Sequence, residues 1–182
     1  MNNRNDIDSS EDSIKILLIG LDNGGKTSIL KCLKGLKGLS AFNSPNPTRG
    51  LKIERFEAFD SKYAIWDLGG QEAYHEQYFK DIENILRGTK KIIYVFDVQD
   101  AKRYNLAINY LEKVMDAIKN LNNIDFSIFL HKYDPDLEFN KELNELIIDG
   151  LINKIKGIIP PNLDYSLHKT SIYATFEKST IT

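Results

Sequence analysis

The chain has 182 residues and a formal net charge of −2, because 24 Lys and Arg stand against 26 Asp and Glu. This near-neutral balance argues against a general nucleic-acid-binding protein, which needs a strong basic excess. Hydrophobic residues make up 42% of the chain and charged residues 27%, which is typical of a folded globular domain and excludes a disordered chain.

The amino terminus is polar and acidic, and it lacks the basic and apolar regions of a secretory signal. We expect residues 1–12 to form a flexible polar tail and residues 13–182 to form one domain. Asn2 does not fit the myristoylation pattern, and no terminal cysteine is available for prenylation, so no lipid anchor is evident. These observations lead us to expect a cytoplasmic location.

Strand and helix patterns alternate from residue 13 onward. The run SIKILLI over 13–19 predicts a buried strand, because it is apolar and ends at a glycine. A helix is predicted over 26–36, and a loop that contains Gly and Pro follows it. Two further strands, over 51–59 and 63–67, are separated by Asp-Ser-Lys, which predicts a hairpin.

The second half of the chain continues this alternation. In chain order we predict a helix over 71–86, a strand over 91–96, a helix over 103–119, a strand over 126–130, a helix over 139–155 and a strand over 165–168. This order predicts an α/β fold: a mostly parallel six-stranded sheet with helices on both faces and one antiparallel edge strand from the hairpin. Ligands of such folds bind at the carboxyl ends of the strands.

A phosphate-binding pattern follows the first strand. Gly-Leu-Asp-Asn-Gly-Gly-Lys-Thr over 20–27 matches G-x-x-x-x-G-K-[ST] and lies between a predicted strand and helix, as the motif requires. Glycines let backbone N–H groups close around phosphate oxygens, so the pattern predicts a phosphate-binding loop. The alternative interpretation of the pattern is a glycine-rich turn before a helix. We expect Lys26 to reach the outer phosphates and Thr27 to ligate Mg²⁺. The predicted nucleotide-binding residues here are Gly20, Asp22, Asn23, Gly24, Gly25, Lys26, Thr27 and Ser28.

A second motif, Trp-Asp-Leu-Gly-Gly-Gln-Glu over 66–72, follows the hairpin. Asp67 lies at the carboxyl end of a predicted strand, where an acidic residue can hold Mg²⁺ through water. Gly70 leaves its N–H free to approach a terminal phosphate, and Gln71 can orient an attacking water. Taken alone, the Asp-Leu-Gly-Gly sequence also fits a plain turn.

Two segments near the end of the chain suggest a base-binding site. In His131-Lys132-Tyr133-Asp134, the Asp134 carboxylate can accept hydrogen bonds from guanine N1–H and the 2-amino group, a donor pair that adenine lacks. Lys132 can lay its aliphatic stem over the base. The backbone N–H groups of Ser171 and Ile172 can contact the guanine carbonyl. Taken alone, the tetrapeptide fits a surface turn better.

The motifs together resemble those of the small GTPases of the Ras superfamily, over Ser13 to about Phe176. The ordered set is GLDNGGKT, Pro47-Thr48, WDLGGQE, HKYD and TSI. GLDNGGKT and WDLGGQE are most similar to the Arf and Arf-like branch. The sequence over 85–97, HKYD and TSIY are more similar to the Rag/Gtr branch, in which a His opens the guanine motif. The resemblance implies a P-loop NTPase G domain.

The resemblance also implies roles at matching positions. Thr48 would be the switch I threonine, whose hydroxyl meets Mg²⁺ and whose N–H meets the γ-phosphate, within a segment over 42–50 that GTP orders. The implied metal ligands are Thr27, Thr48 and Asp67, the implied catalytic residues are Gln71, Lys26 and Thr48, and the implied guanine-site residues are His131, Lys132, Asp134, Ser171 and Ile172. GTP or GDP with Mg²⁺, an exchange factor, an activating protein and effectors are the implied ligands and partners.

The function that follows is a GTP-binding molecular switch that hydrolyses GTP slowly, in signalling or membrane trafficking, with peripheral membrane contact through partners. The alternatives are a non-hydrolysing guanine-nucleotide-binding scaffold and one subunit of a Rag-type heterodimer with another GTPase. Gln71 and Thr48 argue against the scaffold, because a pure binder needs neither. A further alternative, an ATP-using kinase or ATPase, is disfavoured by HKYD and by the WDLGGQ segment. The family's last helix would start near Ile172, and we expect it to be short or truncated.

Overall fold

The computed structural model describes residues 13–34, 48–58, 61–118, 124–135, 137, 143 and 145–172. The predicted tail, most of the predicted switch I segment and the predicted last helix lie outside these residues. The division into a tail and one domain therefore stays a prediction.

Six strands of the described chain form one sheet. They are β1 (Ser13–Ile19), β2 (Leu51–Ala58), β3 (Ser61–Leu68), β4 (Thr89–Asp97), β5 (Asp125–His131) and β6 (Tyr165–Thr170). Their order across the sheet is β2-β3-β1-β4-β5-β6. All neighbouring strands pair in parallel except β2 and β3, which form the antiparallel hairpin at one edge. The predicted mostly parallel sheet with one antiparallel edge strand is confirmed.

Apart from the single helix predicted over 71–86, the helices of the described chain follow the prediction with shifted ends. They are α1 (Lys26–Leu33), α2 (Glu72–Lys80), α3 (Ile82–Leu86), α4 (Tyr104–Ile118) and α5 (Glu145–Ile158), with a 3₁₀ turn over Ala101–Arg103 before α4. The predicted start of the helix over 139–155 falls outside the described residues, and its described part continues to Ile158. None of these helices has the length and apolarity that a membrane crossing requires.

The single helix predicted over 71–86 is wrong. It breaks at Asp81, whose N–H donates to the Tyr78 carbonyl three residues back and so closes α2. The Asp81 side chain then accepts a 2.5 Å hydrogen bond from Asn84 in the first turn of α3. Short polar side chains such as Asp compete for local hydrogen bonds and favour helix ends. The helical spacing of apolar residues therefore continues through Asp81, although the helix itself ends there.

The central strands are buried on both faces of the sheet. In β4, Tyr94 and Phe96 pack into the larger core cluster with α4, whereas Ile93 and Val95 pack into a smaller cluster with α1. Parallel strands covered on both faces are rich in consecutive apolar residues, which explains the apolar run over 16–19 in β1. Helices therefore lie on both sides of the sheet, as predicted.

The fold brings the functional motifs to one edge of the sheet. The segments that follow β1, β3, β4, β5 and β6 all begin at carboxyl ends of parallel-paired strands, so they lie at the same edge. Four of these segments contain the motifs identified in the sequence. The fifth, which follows β4, contains no such motif, and the structure shows that it supports the site.

Candidate functional site

A cavity of about 450 Å³ opens at this edge of the sheet. Its lining combines parts of the chain that are distant in sequence. The lining residues are Asp22, Asn23, Gly24, Gly25, Lys26, Thr27, Ser28, Thr48, Gly70, Asp97, Asp100, Arg103 and Lys132. The structure thus brings most of the predicted phosphate-site and metal-site residues to one cavity.

The loop between β1 and α1 turns the chain beneath this cavity. Asn23 and Gly25 have positive φ values of 57° and 85°, the left-handed region that Asn and Gly tolerate best. Helix α1 begins immediately afterwards at Lys26, and its first turn contains no acidic residue. The positive potential of the helix amino terminus is therefore not offset by a first-turn carboxylate, which favours an anion in the cavity.

Lys26 is a buried cation at the base of this loop. Its Nζ donates to the carbonyl oxygens of Gly20 at 2.9 Å and Leu21 at 2.7 Å, and the residue is only 6% exposed. Burial lowers the pKa of Lys26 to about 8, although Asp67 and Asp22 partly counteract that effect. An anion bound in the cavity would compensate the buried charge and raise this pKa.

Three oxygen atoms converge beside Lys26. The Thr27 hydroxyl donates to Asp67 Oδ2 at 2.7 Å, the Thr48 hydroxyl lies 3.1 Å from the same oxygen, and the two hydroxyl oxygens are 2.9 Å apart. Asp67 is fully buried, and its other oxygen, Oδ1, has no hydrogen-bond partner in the part of the chain that the structure describes. Hydroxyl and carboxylate oxygens are the ligands that Mg²⁺ prefers, so this set fits that ion.

The two glycines after β3 lie directly against other backbone. The Gly70 carbonyl accepts a 3.0 Å hydrogen bond from the Asp22 N–H, and a Cβ at Gly70 would overlap the backbone of Leu21 and Asp22. Gly69 donates to the Gly50 carbonyl at 3.0 Å. Glycine is required at position 70 because any side chain would separate the two segments.

Gln71 follows Gly70 and precedes α2. It is half-buried and extended, with φ −71° and ψ 135°, and its carbonyl accepts from the Tyr74 N–H at 2.9 Å. Gly70 lines the cavity, but Gln71 does not. The structure therefore places the predicted water-orienting residue beside the cavity and not inside it.

The predicted guanine-site residues also lie together. Asp134 accepts hydrogen bonds on both carboxylate oxygens, from the Ser171 hydroxyl and from the Gln99 amide at 2.7 Å. Lys132 has a positive φ of 59° and donates to Asp97 at 2.6 Å. The Tyr133 N–H donates to the Thr170 carbonyl at 3.0 Å, which ties the segment after β5 to the segment after β6. Ile172, the last described residue, is 36% exposed.

His131 lies behind the phosphate-binding loop and does not line the cavity. It is 3% exposed, and its Nδ1 lies 3.0 Å from the Thr170 hydroxyl. Its ring occupies the space into which a Cβ on Gly25 would project. Burial lowers the pKa of His131, so the ring is neutral near pH 7. His131 therefore connects the base-binding segment to the phosphate-binding loop.

The end of β4 and the segment after it hold four residues that support the site and that no sequence motif identified: Asp97, Gln99, Asp100 and Arg103. Asp97 and Gln99 hold Lys132 and Asp134, as described above, and the Gln99 amide also donates to the Lys132 carbonyl at 2.9 Å. Arg103 donates to Asp22 and to Asp100. A signal was available: polar residues directly after a buried parallel strand, the criterion that identified the segment after β5.

Residues 3–168 match the family model described as the ADP-ribosylation factor (Arf) family. The chain belongs to the Arf family. Its six-stranded, mostly parallel sheet is thus that of an Arf-family small GTPase.

Several curated proteins are similar to this Arf-family chain. ADP-ribosylation factor-like protein alp41 of Schizosaccharomyces pombe is 35% identical over 105 residues, which cover 58% of this chain and 52% of alp41. ADP-ribosylation factor-like protein 3 of Caenorhabditis elegans is 34% identical over 125 residues, covering 66% of this chain and 61% of that protein. The chain thus spans between half and two thirds of these relatives' length.

One Ras-related protein and one solved structure extend the comparison. Ras-related GTP-binding protein D of Mus musculus is 30% identical over 187 residues, covering 93% of this chain and 39% of that protein. The structure of the Arl6 BBS3 small GTPase of Trypanosoma brucei, with bound GppNp, matches with a TM-score of 0.65 at 18% identity and covers 87% of both chains. At that identity the structural match shows the fold.

The contact between His131 and Gly25 leads to a stability prediction. Gly25→Ala combines an unfavourable positive φ with overlap on the His131 ring, and we expect it to cost about 2–4 kcal/mol of unfolding free energy. Thermal unfolding followed by circular dichroism measures this. Gly157→Ala is the matched control, because that glycine lies in α5 with open space around its Cβ position, and it should be neutral or stabilising. Equal melting temperatures for the two variants would contradict the contact.

The buried Lys26 leads to a prediction about pH. Nucleotide phosphates bind the protonated amine, so affinity should fall as pH rises through the pKa of about 8 in the free protein. We expect GDP affinity to fall about tenfold between pH 7 and pH 9. Calorimetric titration measures this. Lys26→Met is the control: it cannot titrate, but it retains every other ionisable group, so its pH profile should lack this step. Parallel profiles would exclude Lys26 as the cause.

Proposed function

We propose that this Arf-family chain is a guanine-nucleotide switch that binds GTP and GDP with Mg²⁺ and hydrolyses GTP slowly. The observation that carries the proposal is the convergence of oxygens from Thr27, Thr48 and Asp67 at 2.7–3.1 Å, beside the buried amine of Lys26. These residues come from three segments separated by 21 and 19 positions. A metal–phosphate group bound at their meeting point would hold all three segments together.

In this proposal the hydroxyls of Thr27 and Thr48 and the carboxylate of Asp67 hold Mg²⁺. The ion, when bound, supplies positive charge to the phosphate oxygens. The buried oxygen of Asp67 that lacks a partner among the described residues supports this assignment, because a buried carboxylate oxygen needs a donor, a water or a metal.

The protein's own residues contribute positive charge at the phosphates and the positioning of the attacking water. Lys26 holds a buried positive charge at the outer phosphates, and the amino terminus of α1 adds to it. Gln71 orients the attacking water for in-line transfer of the terminal phosphoryl group. Gln71 directly follows Gly70, which lines the cavity, so its side chain starts next to the phosphate end of the site.

The base end of the site supports guanine over adenine. Both carboxylate oxygens of Asp134 act as hydrogen-bond acceptors, for Gln99 and Ser171, and the side chain is only half-buried, so guanine donors can replace these two partners. Guanine offers two adjacent donors, and adenine does not. The Asp97–Lys132 ion pair at 2.6 Å holds the Lys132 stem beside this position.

A subunit of a Rag-type GTPase pair is the second candidate. The observation that favours it is the match to mouse Ras-related GTP-binding protein D, which covers 93% of this chain. An exchange factor, an activating protein and effectors belong to the proposal in either case. The role in signalling or trafficking, the cytoplasmic location, the peripheral membrane contact and the heterodimer stay predictions.

Base choice tests the guanine assignment. Asp134→Asn replaces one acceptor oxygen by a donor, so it removes a charge-assisted hydrogen bond and repels the guanine donors. We expect at least about a hundredfold loss of GTP affinity. Xanthosine triphosphate, which has a carbonyl in place of the 2-amino group, should bind the variant better than GTP does. Asp164→Asn, an exposed carboxylate outside the site, is the control. Unchanged GTP binding by Asp134→Asn would contradict the assignment.

Hydrolysis tests the switch assignment. Gln71→Leu keeps the side-chain size and removes both hydrogen-bonding groups, so we expect single-turnover GTP hydrolysis to fall at least tenfold, about 1.4 kcal/mol in barrier height. GTP affinity should stay within a few-fold. Gln77→Leu, on the exposed face of α2, is the matched control. A Gln71→Leu variant with the parent's rate would show that another group positions the water, and a parent that binds GTP without turnover would favour the scaffold alternative.

A further inference from the structure

An arginine from outside the predicted motifs is bonded to the phosphate-binding loop. Arg103, the last residue of the 3₁₀ turn before α4, donates from Nη1 to Asp22 Oδ1 at 2.6 Å and from Nη2 to the Asp22 carbonyl at 3.0 Å. Its Nε donates to Asp100 at 2.5 Å. The guanidinium plane is therefore held by Asp100 on one side and binds both the side chain and the backbone of Asp22 on the other.

Asp22 is an acidic residue in a loop that must receive phosphate. Its carboxylate and Arg103 both line the cavity that contains Lys26 and Thr27. Both side chains are partly exposed, at 36% for Asp22 and 31% for Arg103, so they are not a buried structural pair. An uncompensated carboxylate at this place would repel a nucleotide polyphosphate, because like charges a few ångströms apart interact unfavourably.

Two further observations connect the pair to the site. Apart from the lowering by burial, the pKa of Lys26 is raised by Asp67 and Asp22 and lowered by Arg103, so both partners contribute to the potential at the phosphate-binding amine. The N–H of Asp22 also donates to Gly70. Asp22 thus has two contacts: its side chain and carbonyl accept from Arg103, and its N–H donates to the segment after β3.

We propose that Arg103 is a positioning residue for nucleotide binding: it neutralises the Asp22 carboxylate, so that this carboxylate does not repel the phosphates in the cavity. The ligand chemistry is that of the nucleotide's phosphate groups, so the inference rests on the proposed function. Arg103 acts through Asp22 and does not itself need to touch the nucleotide.

The test compares Arg103→Gln, Arg103→Lys, Asp22→Asn and the double variant Asp22→Asn/Arg103→Gln. Dissociation constants of GTP and GDP with Mg²⁺ are measured at low ionic strength, and melting temperatures confirm folding. We expect Arg103→Gln to weaken GTP binding at least about tenfold and GDP binding less, because GTP has the greater charge. Arg103→Lys keeps the charge and loses the paired contact, so its loss should be smaller.

The double variant separates charge compensation from mechanical support. If Arg103 neutralises Asp22, removing both charges should restore GTP affinity to within about threefold of the parent. The defect of Arg103→Gln should also shrink when salt rises from about 50 mM to about 500 mM, because salt screens the exposed carboxylate. A double variant as weak as Arg103→Gln, with a defect that salt does not change, would overturn the inference.

The remaining outcomes are also decisive. If the parent and Arg103→Gln bind GTP equally well, this inference is overturned and the proposed function is not. A parent that binds neither nucleotide overturns the proposed function and this inference with it. If Arg103→Gln does not fold, Asp22→Asn provides the test: it frees the Arg103 charge to face the phosphates, so GTP should bind several-fold more tightly. Unchanged or weaker binding by that variant would contradict the inference.

Discussion

The site depends on a contact in which two backbones meet with no side chain between them. The phosphate-binding loop and the segment after β3 are joined by the hydrogen bond from Asp22 to Gly70, and the space there accommodates only glycine. This close approach brings the end of β3, with Asp67, against the start of α1, with Thr27. The oxygen cluster that fits Mg²⁺ exists because these two chain segments are so close.

The parallel sheet explains why a single short segment can support both ends of the site. β4 lies at the centre of the sheet, between β1 and β5, so the residues after it lie between the phosphate-binding loop and the base-binding segment. Asp97 and Gln99 hold the base-binding side, and Arg103 holds the phosphate side. The strand pattern over 91–96 predicted only a buried strand, so it did not indicate either of these contacts.

Local patterns in the sequence predicted the fold and most of the cavity lining. The strands and the glycine-rich loop depend on short-range spacing, which identified Lys26, Thr27 and Asp67. Thr48 was implied only by the family resemblance, and the structure places its hydroxyl beside Thr27 and Asp67. The contact between Arg103 and Asp22 could not be predicted this way, because it joins residues 81 positions apart and depends on how α4 packs on the sheet. The helix break at Asp81 was missed because the apolar spacing runs through it.

The packing of His131 on Gly25 has a consequence for how such sequences diverge. The imidazole fills the volume that a side chain at position 25 would need, so the two positions share one space. A larger residue at 25 is compatible only with a smaller one at 131, and substitutions at the two positions would therefore co-vary among related chains. The first residue of the base-binding segment and the last glycine of the phosphate-binding loop are thus coupled by packing, although 106 positions separate them.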